Sequence, residues 1–590
     1  MIRLPSLPVL VLLGLIAVAF AVVPFVAGPY EVKFATRVLA TAIFVLGLDL
    51  LIGVTGLVSF GHAAWFGLGA YAVWFVTPPD YEAGNLLVAL GAAVALSGAV
   101  AAVVGLFAVR TRAFYFIMVT LAASQMIFAL FHDTRIAGGS DGASIDVKPI
   151  LEIGGATILD FSARNTLLWF SLAALVVLYG AVLTLARSRF GRVLQGIKAN
   201  ETRMNALGFD GARYKWASFV IAAMVAGFGG ALFASIDGFV PPEILGWRES
   251  GLAIMMVVLG GVGSLWGAIV GALVYALAEE MLKSADLVGA TVSEHWPIAM
   301  GLFLIAAVLG APKGLAGWLP LRPAKPWAPA AETGAAVETR RASPPPRLEV
   351  EGLRRTFGGL TAVDGVTVAF EPGRIHAVIG PNGAGKTTFT NLLTGALPVS
   401  GGTIRLDGVD ITALSAHAKA RRGIGRSFQR TNVLPAFTVA ENCAVAAQAR
   451  GLAGASPAEE ARAVTEALTS TGLVDRADRP ATSLSHGEQR QLEIAMLIAS
   501  GAELLILDEP LAGTGPEETA RVTALLRDLA RDHTILLIEH DMDAVFACAD
   551  TVSVLVGGRL LAHGTPDDIR RDAAVREAYL GRFAGLEDAA

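Results

Sequence analysis

Cysteine is nearly absent: Cys443 and Cys548 are the only two in 590 residues. That excludes a disulfide framework and a thiolate metal site, and it suits a reducing compartment. Charged residues are scarce too, at 16% of the chain, which excludes a single soluble protein of this length. Basic residues are not in excess, with 46 Lys and Arg against 51 Asp and Glu and a net charge of −5, so no nucleic-acid partner is expected. The apolar part has no His/Cys/Asp/Glu cluster at metal-ligand spacing. The chain is filled instead by apolar sequence, 54% by composition, with a mean hydropathy of +0.59. A membrane domain joined to a soluble one is the simple solution.

The uncharged run Pro8 to Ala27 is long enough to span a bilayer. Because further spans lie downstream, it is expected to be an uncleaved first helix rather than a signal peptide, with Arg3 in the cytoplasm. Other apolar stretches run from Val38 to Val58, Gly61 to Val76, Asn85 to Val109, Ala113 to Phe131, Thr166 to Ala186 and Trp216 to Ser235. A glycine-rich pair of shorter pieces occupies Gly251 to Leu282, and a last span covers Pro297 to Ala311. Roughly eight or ten crossings result, depending on whether the glycine-rich pair is a hairpin through the membrane. Arg110 and Arg112 sit in one loop, and Arg187, Arg189, Arg192, Lys198, Arg203, Arg213 and Lys215 crowd another. Both loops are expected in the cytoplasm, which leaves Gly28 to Ala35, His132 to Arg164 and Asp237 to Ser250 on the other side.

A phosphate-binding loop comes after the apolar run Ile375 to Ile379. The string GPNGAGKTT, comprising Gly380, Pro381, Asn382, Gly383, Ala384, Gly385, Lys386, Thr387 and Thr388, fits G-x-x-x-x-G-K-[ST] in full. Its glycines let the backbone turn N–H groups onto a triphosphate, Lys386 reaches the outer phosphates, and the Thr387 hydroxyl holds Mg²⁺. Upstream, LEVEGLRRTFGGLTAVDGVTVAF alternates as half-exposed strands do.

The strings LDLLIGVTGLVSFGHAAWFGLGAYAV (Leu48 to Val73), TRAFYFIMVTLAASQM, GGSDG (Gly138 to Gly142), FGRVLQGIKANETRMNALGF (Phe190 to Phe209) and MMVVLGGVGSLWGAIVGA (Met255 to Ala272) occur in this order. They resemble the permease subunits of the branched-chain amino acid (leucine/isoleucine/valine) ABC importers, over about Thr36 to Gly317. The resemblance implies a polytopic α-helical membrane domain. Small residues at Gly61, Gly67, Gly69, Gly260, Gly261, Gly263, Gly267 and Gly271 suit close helix packing in lipid. His62, beside Trp65 and Phe66, reads as a packed or interfacial histidine rather than a ligand. Asp49 lies in the middle of an apolar span, where a carboxylate faces a cavity or a partner. Related permeases typically carry asparagine there, so Asp49 departs from the pattern; it either fills the same structural role, protonated or hydrogen-bonded, or contacts substrate. The basic loop Arg187 to Lys215, with a short amphipathic helix around Gly191 to Leu207, matches the family's segment that docks on the ATPase.

From Leu348 to about Leu580 the chain resembles the ABC ATPases, an α/β P-loop fold. That resemblance places Phe357 against adenine, where most members carry tyrosine; a buried strand phenylalanine is the other reading. It places Gln429 of GRSFQ near Mg²⁺ and the attacking water. LSHGEQRQLEIAM (Leu484 to Met496) resembles the signature motif, implying that Ser485 and Gly487 contact the ATP held by an opposite subunit. His486 replaces the motif's first glycine. In LLILDEP, Asp508 is implied to orient Mg²⁺ through water and Glu509 to polarise the hydrolytic water. His540 in ILLIEHDM matches the switch histidine. GRSFQ, IEHDM and AYLG (Ala578 to Gly581) point to the branched-chain branch.

The domain plan expected is therefore 1–317 permease, 318–347 a Pro/Ala-rich flexible to semi-extended linker, and 348–590 ATPase. The function implied is ATP-driven import of branched-chain amino acids, with ATP and Mg²⁺ as cofactors, in the bacterial cytoplasmic membrane with the ATPase in the cytoplasm. Import of urea, short amides or another amino acid is the same-class alternative; an ATP-driven exporter is the different-class one. One chain supplies one phosphate loop and one signature, so a second permease, a second ATPase and an external binding protein are expected partners. Gly515 falls where ABC ATPases usually carry an aspartate that bridges two ATPase halves, which favours a hetero-assembly over a homodimer.

Overall fold

Long apolar helices dominate the first half of the chain because an uninterrupted greasy run can satisfy its backbone in lipid only by bonding to itself. The structure, a computed structural model, describes residues 2–78, 82–111, 113–153, 156–320, 322, 326–330, 344–452, 454–511 and 516–580. It divides into two units, Met1–Lys198 with Ala212–Ala324, and Ala199–Gly211 with Lys325–Ala590.

The first unit contains α1 (Leu7–Val26), α2 (Pro29–Asp49), α3 (His62–Val76), α4 (Leu86–Ala108), α5 (Ala113–Asp133), α6 (Arg164–Arg187), the first part of α7 (Arg189–Ala206), α8 (Gly211–Asp237), α9 (Trp247–Gly260) and α10 (Trp266–Lys283). Two short turns, α11 (Ala285–Val288) and α12 (Ala290–Glu294), lead into α13 (Trp296–Gly310). Seven helices among the described residues are long and apolar enough to cross a membrane. The glycine-rich stretch forms the separate helices α9 and α10, of 14 and 18 residues. They touch backbone to backbone: a Cβ on Gly260 would lie 1.9 Å from the Gly267 carbonyl oxygen, so neither helix tolerates a larger residue there.

Helix α2 is buried along most of its length, whereas α1 and α13 present leucine, valine and isoleucine outward, as lipid-facing helices do. A π-helical segment, Leu50–Thr55, continues α2 and ends at Gly56 in the left-handed region. His62 is fully buried and stacked on Phe44 at 5.6 Å, and neither ring nitrogen has a hydrogen-bond partner among the described residues. The two-residue strands β1 (Ala143–Ser144) and β4 (Phe239–Val240) pair antiparallel, as do β2 (Ile150–Ile153) and β3 (Ala156–Asp160).

In the second unit β5 (Leu348–Phe357) and β6 (Leu360–Phe370) form an antiparallel hairpin, extended by β8 (Gly401–Leu406) and β9 (Val409–Asp410). The main sheet has β7 (Ile375–Ile379) flanked by β12 (Thr534–Ile538) and β13 (Thr551–Val556), with β11 (Leu504–Asp508), β10 (Ile424–Arg426) and β14 (Arg559–Gly564) outside them. Every pairing is parallel except the β13–β14 edge. Strands β7, β11 and β12 are buried at every position, which is why they read as continuous apolar runs rather than alternating ones. Around the sheet lie α14 (Lys386–Leu393), α15 (Ala416–Ala420), α16 (Val439–Gly451), α17 (Pro457–Ser470), α18 (His486–Ser500), α19 (Pro516–Leu529) and α20 (Met542–Cys548).

Candidate nucleotide site and docking segment

Parallel register decides where the chemistry falls. Val378 of β7 pairs with Ile538 of β12, and Ile538 with Asp508 of β11, so these three strands end together. Arg426 of β10 pairs with Ile506, two residues short of the same edge. The segments that leave this edge carry Gly380 to Thr388, Asp508 and Glu509, Glu539 and His540, and Ser427 to Gln429. In an open α/β sheet that carboxyl edge is where ligands bind.

The phosphate loop wraps tightly. A Cβ on Gly380 would lie 2.1 Å from the Leu555 carbonyl oxygen, and one on Gly385, at φ +96°, 2.4 Å from that of Ala362, so both positions require glycine. Gly385 caps α14, whose first residue is Lys386. The Lys386 ammonium is folded onto its own loop, donating to the Gly380 and Pro381 carbonyl oxygens at 2.5 and 3.1 Å. Burial pulls its pKa below the ordinary lysine value, with Glu509 and Asp508 opposing the shift.

Opposite stands a set of carboxylates. Asp508 is buried; its N–H donates to Ser427 Oγ at 3.0 Å, and its carboxylate lies 3.7 Å from the Arg426 guanidinium. Burial raises its pKa against the pull of Arg426. Glu509 has φ +51°, an unusual backbone for a side chain of its kind. Its carboxylate accepts from Gln429 Nε2 at 3.3 Å and lies 3.9 Å from His540 Nδ1. Its carbonyl oxygen accepts from the Arg490 guanidinium, which reaches over from α18. Lys386, Gln429, Asp508, Glu509 and His540 are thus brought to one place.

Among the described residues no group of three or more His, Cys, Asp or Glu side chains could hold a metal ion. A cation at this edge therefore needs oxygens from a phosphate chain to complete its shell. The residues present fit a magnesium nucleotide: a loop of N–H donors, a half-buried ammonium resting on carbonyl oxygens, and carboxylates facing it. Phe357 closes the β5 strand and is 42% exposed, so it is not a buried strand residue, and Arg355 lies 4.7 Å over its ring.

Ser485 and Gly487 start α18. Ser485 is its N-cap: the hydroxyl accepts from the Glu488 N–H at 3.2 Å, and the Glu488 carboxylate accepts from the Ser485 N–H at 2.9 Å. Arg112, Gly515 and Gly581 lie outside the described residues.

Residues Ala199–Gly211 pack within the ATPase unit. Helix α7 loses helical geometry at Asn200, where φ is −163° and ψ 92°. The Asn200 side chain accepts from the Arg203 N–H at 3.0 Å, starting a new turn, and it donates to Asn432. Arg203 is fully buried. Its guanidinium donates to the carbonyl oxygens of Arg426 at 3.0 Å and Glu493 at 3.2 Å, and lies 3.7 Å from the Glu493 carboxylate. Glu493 also accepts from the Asn432 N–H at 3.1 Å. One residue thus touches α18 and the strand whose Arg426 faces Asp508.

Comparison with known proteins agrees with both halves. Residues 31–310 match the family described as branched-chain amino acid transport system / permease component, and residues 363–512 match ABC transporter. Residues 559–584 match branched-chain amino acid ATP-binding cassette transporter. The high-affinity branched-chain amino acid transport ATP-binding protein BraF of Pseudomonas aeruginosa is 44% identical over 250 residues, covering 40% of this chain and 98% of that protein. The chain belongs to the branched-chain amino acid ABC transporter family. LivG of Escherichia coli K12, of the same description as BraF, is 42% identical over 251 residues, covering 40% of this transporter and 98% of LivG. The lipopolysaccharide export protein LptB of Escherichia coli is 33% identical over 236 residues, covering 40% and 97%, so the ATPase half by itself does not separate import from export. A crystal structure of an ATP-binding cassette in its ADP conformation is 28% identical and covers 40% of this transporter and 99% of that chain, with a TM-score of 0.36.

This transporter therefore joins a permease and an ATPase in one membrane protein, binds ATP and couples its hydrolysis to transport. Sequence reasoning missed four side chains at the nucleotide edge, Ser427, Arg426, Arg490 and the buried Glu539, which accepts from the Leu511 N–H at 2.7 Å, and it named Arg203 only among the basic residues of a loop. None of the four carries a local signal. Glu488, missed as well, does carry one, the S-x-x-E capping box of SHGE.

Proposed function

We propose that this transporter imports branched-chain amino acids across the bacterial cytoplasmic membrane, in a hetero-assembly with a second permease, a second ATPase and an external binding protein. The observation that carries the reading is a complete set of hydrolytic groups in the same chain as a branched-chain-type permease: Lys386, Gln429, Asp508, Glu509 and His540 at one sheet edge. The phosphate loop, with Lys386, holds the nucleotide, and Phe357 offers its open face to the base. Thr387, Gln429 and Asp508 hold Mg²⁺, which neutralises charge on the phosphates when bound. Glu509 orients the attacking water, held in place by Gln429 and by Arg490 on its carbonyl; His540 donates to the outer phosphate. Ser485 and Gly487, at the N-terminus of α18, serve the nucleotide of the partner ATPase.

The basic segment Arg187 to Lys215 carries motion between the ATPase and the helices. Arg203 supports this, because a buried guanidinium bonded to Glu493 and Arg426 cannot stay behind when α18 and β10 move. Domain limits of 1–317, 318–347 and 348–590 suit this division of labour. Within the linker, the Trp327 N–H donates to Asp478 at 2.8 Å and the Ala330 N–H to Thr465 at 3.0 Å, which anchors its middle on the ATPase.

The test is uptake of radiolabelled leucine, isoleucine, valine and urea into proteoliposomes that contain the whole complex, each with its binding protein. The reading requires ATP-dependent uptake of the branched-chain set and none of urea. Urea uptake without leucine uptake, or ATP-dependent efflux, would replace it.

A further inference from the structure

The α9–α10 break is built from strained backbone held by one buried side chain. Between Gly260 and Trp266 the chain runs through Gly261 and Gly263, both at positive φ, and then Leu265 at φ +60° and ψ −54°. The Trp266 N–H donates to the Ser264 carbonyl oxygen at 2.8 Å, so Leu265 is the centre of a three-residue turn of the rare, strained hand. Leucine has no preference for that geometry. Asp49 imposes it: one carboxylate oxygen accepts from the Gly263 N–H at 2.7 Å and the other from the Leu265 N–H at 2.8 Å. Asp49 and Leu265 are both fully buried.

Asp49 is the last residue of α2, and Gly53 lies one π-helical turn on. A Cβ on Gly53 would sit 2.3 Å from the Gly263 Cα, so the two backbones are in direct contact. The Gly53 carbonyl oxygen accepts from Lys198 Nζ at 2.6 Å, and the lysine stem passes over Gly56. Next in the chain is Ala199, where the segment that belongs to the ATPase unit begins.

We propose that Lys198, Gly53 and Asp49 form the link through which the docking segment moves the α9–α10 turn, with Asp49 as the positioning residue for transport. The inference rests on the proposed role of the Arg187 to Lys215 segment. A pull on Lys198 is felt at the Gly53 carbonyl, and the π-helical turn carries it to the Asp49 carboxylate. The carboxylate grips two N–H groups of the connection between α9 and α10. Irregular backbone between interrupted helices is where secondary transporters hold their cargo, and in this proposal the α9–α10 turn takes that place in this transporter. With the turn as it is built in this chain, the asparagine of related permeases would not do the same work: its oxygen takes one N–H, and its NH₂ group faces the other donor.

The experiment uses the full chain in its complex with the partner subunits and binding protein, in proteoliposomes, and reads radiolabelled leucine carried per ATP hydrolysed. Asp49→Asn is expected to lower that ratio at least tenfold with ATP hydrolysis kept within twofold, and hydrogen exchange should show loss of protection at Gly263 and Leu265. Adding Leu265→Gly, which removes the cost of positive φ, should recover part of the ratio. A wild-type ratio in Asp49→Asn overturns the proposal. Where Asp49→Asn fails to assemble, Lys198→Met decides, because it removes the donor to the Gly53 carbonyl and leaves both Asp49 hydrogen bonds in place: a lowered ratio supports the link, and an unchanged one overturns it. The underlying reading fails separately, if uptake survives replacement of Gly191 to Leu207 by a flexible linker.

Discussion

Among the described residues, Lys386 has the carbonyl oxygens of its own loop as its hydrogen-bond partners, so the nucleotide supplies its anion. Lys386→Ala is therefore expected to abolish ATP binding, measured by fluorescent-nucleotide titration of the purified complex. Glu509→Gln keeps the backbone and the Gln429 contact distance but loses the charge that orients water. ATP should stay bound while turnover falls at least about 100-fold; hydrolysis near the wild-type rate would remove Glu509 from its role. Cys443 and Cys548 are buried, and burial pushes their thiols up to about 12 and about 11. At neutral pH neither is a thiolate, so maleimide labelling of the native protein should be negligible and should rise to both sites on denaturation.

Among the elements, α18 and α7 bear most directly on function. Ser485 caps α18, so Ser485→Ala should cost about 1 kcal/mol of domain stability in addition to any loss at the nucleotide; thermal unfolding of the complex without ATP isolates the first effect. Arg203→Ala removes the nearest cation from the buried Glu493 carboxylate, which keeps its Asn432 N–H bond; losing one partner of a buried pair costs up to roughly 3–5 kcal/mol. Arg203→Ala with Glu493→Leu should recover stability but not uptake, if the contact transmits motion. Much of the ATPase sheet was legible: its apolar runs and Gly/Asp-Glu/His punctuation name β7, β11 and β12 and the functional loops at their ends. The hydrophobic pattern also reported the helices, α9 and α10 included as short pieces, but it put Gly28 to Ala35 in a loop where α2 already begins at Pro29, because Glu31 and Lys33 break the apolar run. Other features could not be read. Arg203 and Glu493 lie 290 residues apart, and nothing local marks a buried arginine in a basic loop. The break in α7 at Asn200 is hidden because Asn200 sits inside an amphipathic pattern and caps the next turn with its own side chain. Asp49 was visible as a misplaced charge, yet its partners are backbone N–H groups, which carry no sequence signal.

On the scale of the whole molecule, one chain contributes one phosphate loop and one signature helix. Mass measurement of the chain expressed alone, and then with a second permease and ATPase of the same family, tests the assembly: a stable homodimer that transports with only a binding protein added would contradict the hetero-assembly. The central claim is that hydrolysis at the β7–β11–β12 edge drives inward movement of a branched-chain amino acid. Its most direct test is the internal leucine concentration reached by sealed vesicles bearing the complex, with leucine-loaded binding protein outside and ATP inside. Leucine should accumulate well above its external level in wild-type vesicles and only equilibrate, or stay out, in Glu509→Gln vesicles. Accumulation of the same size in both would contradict the claim.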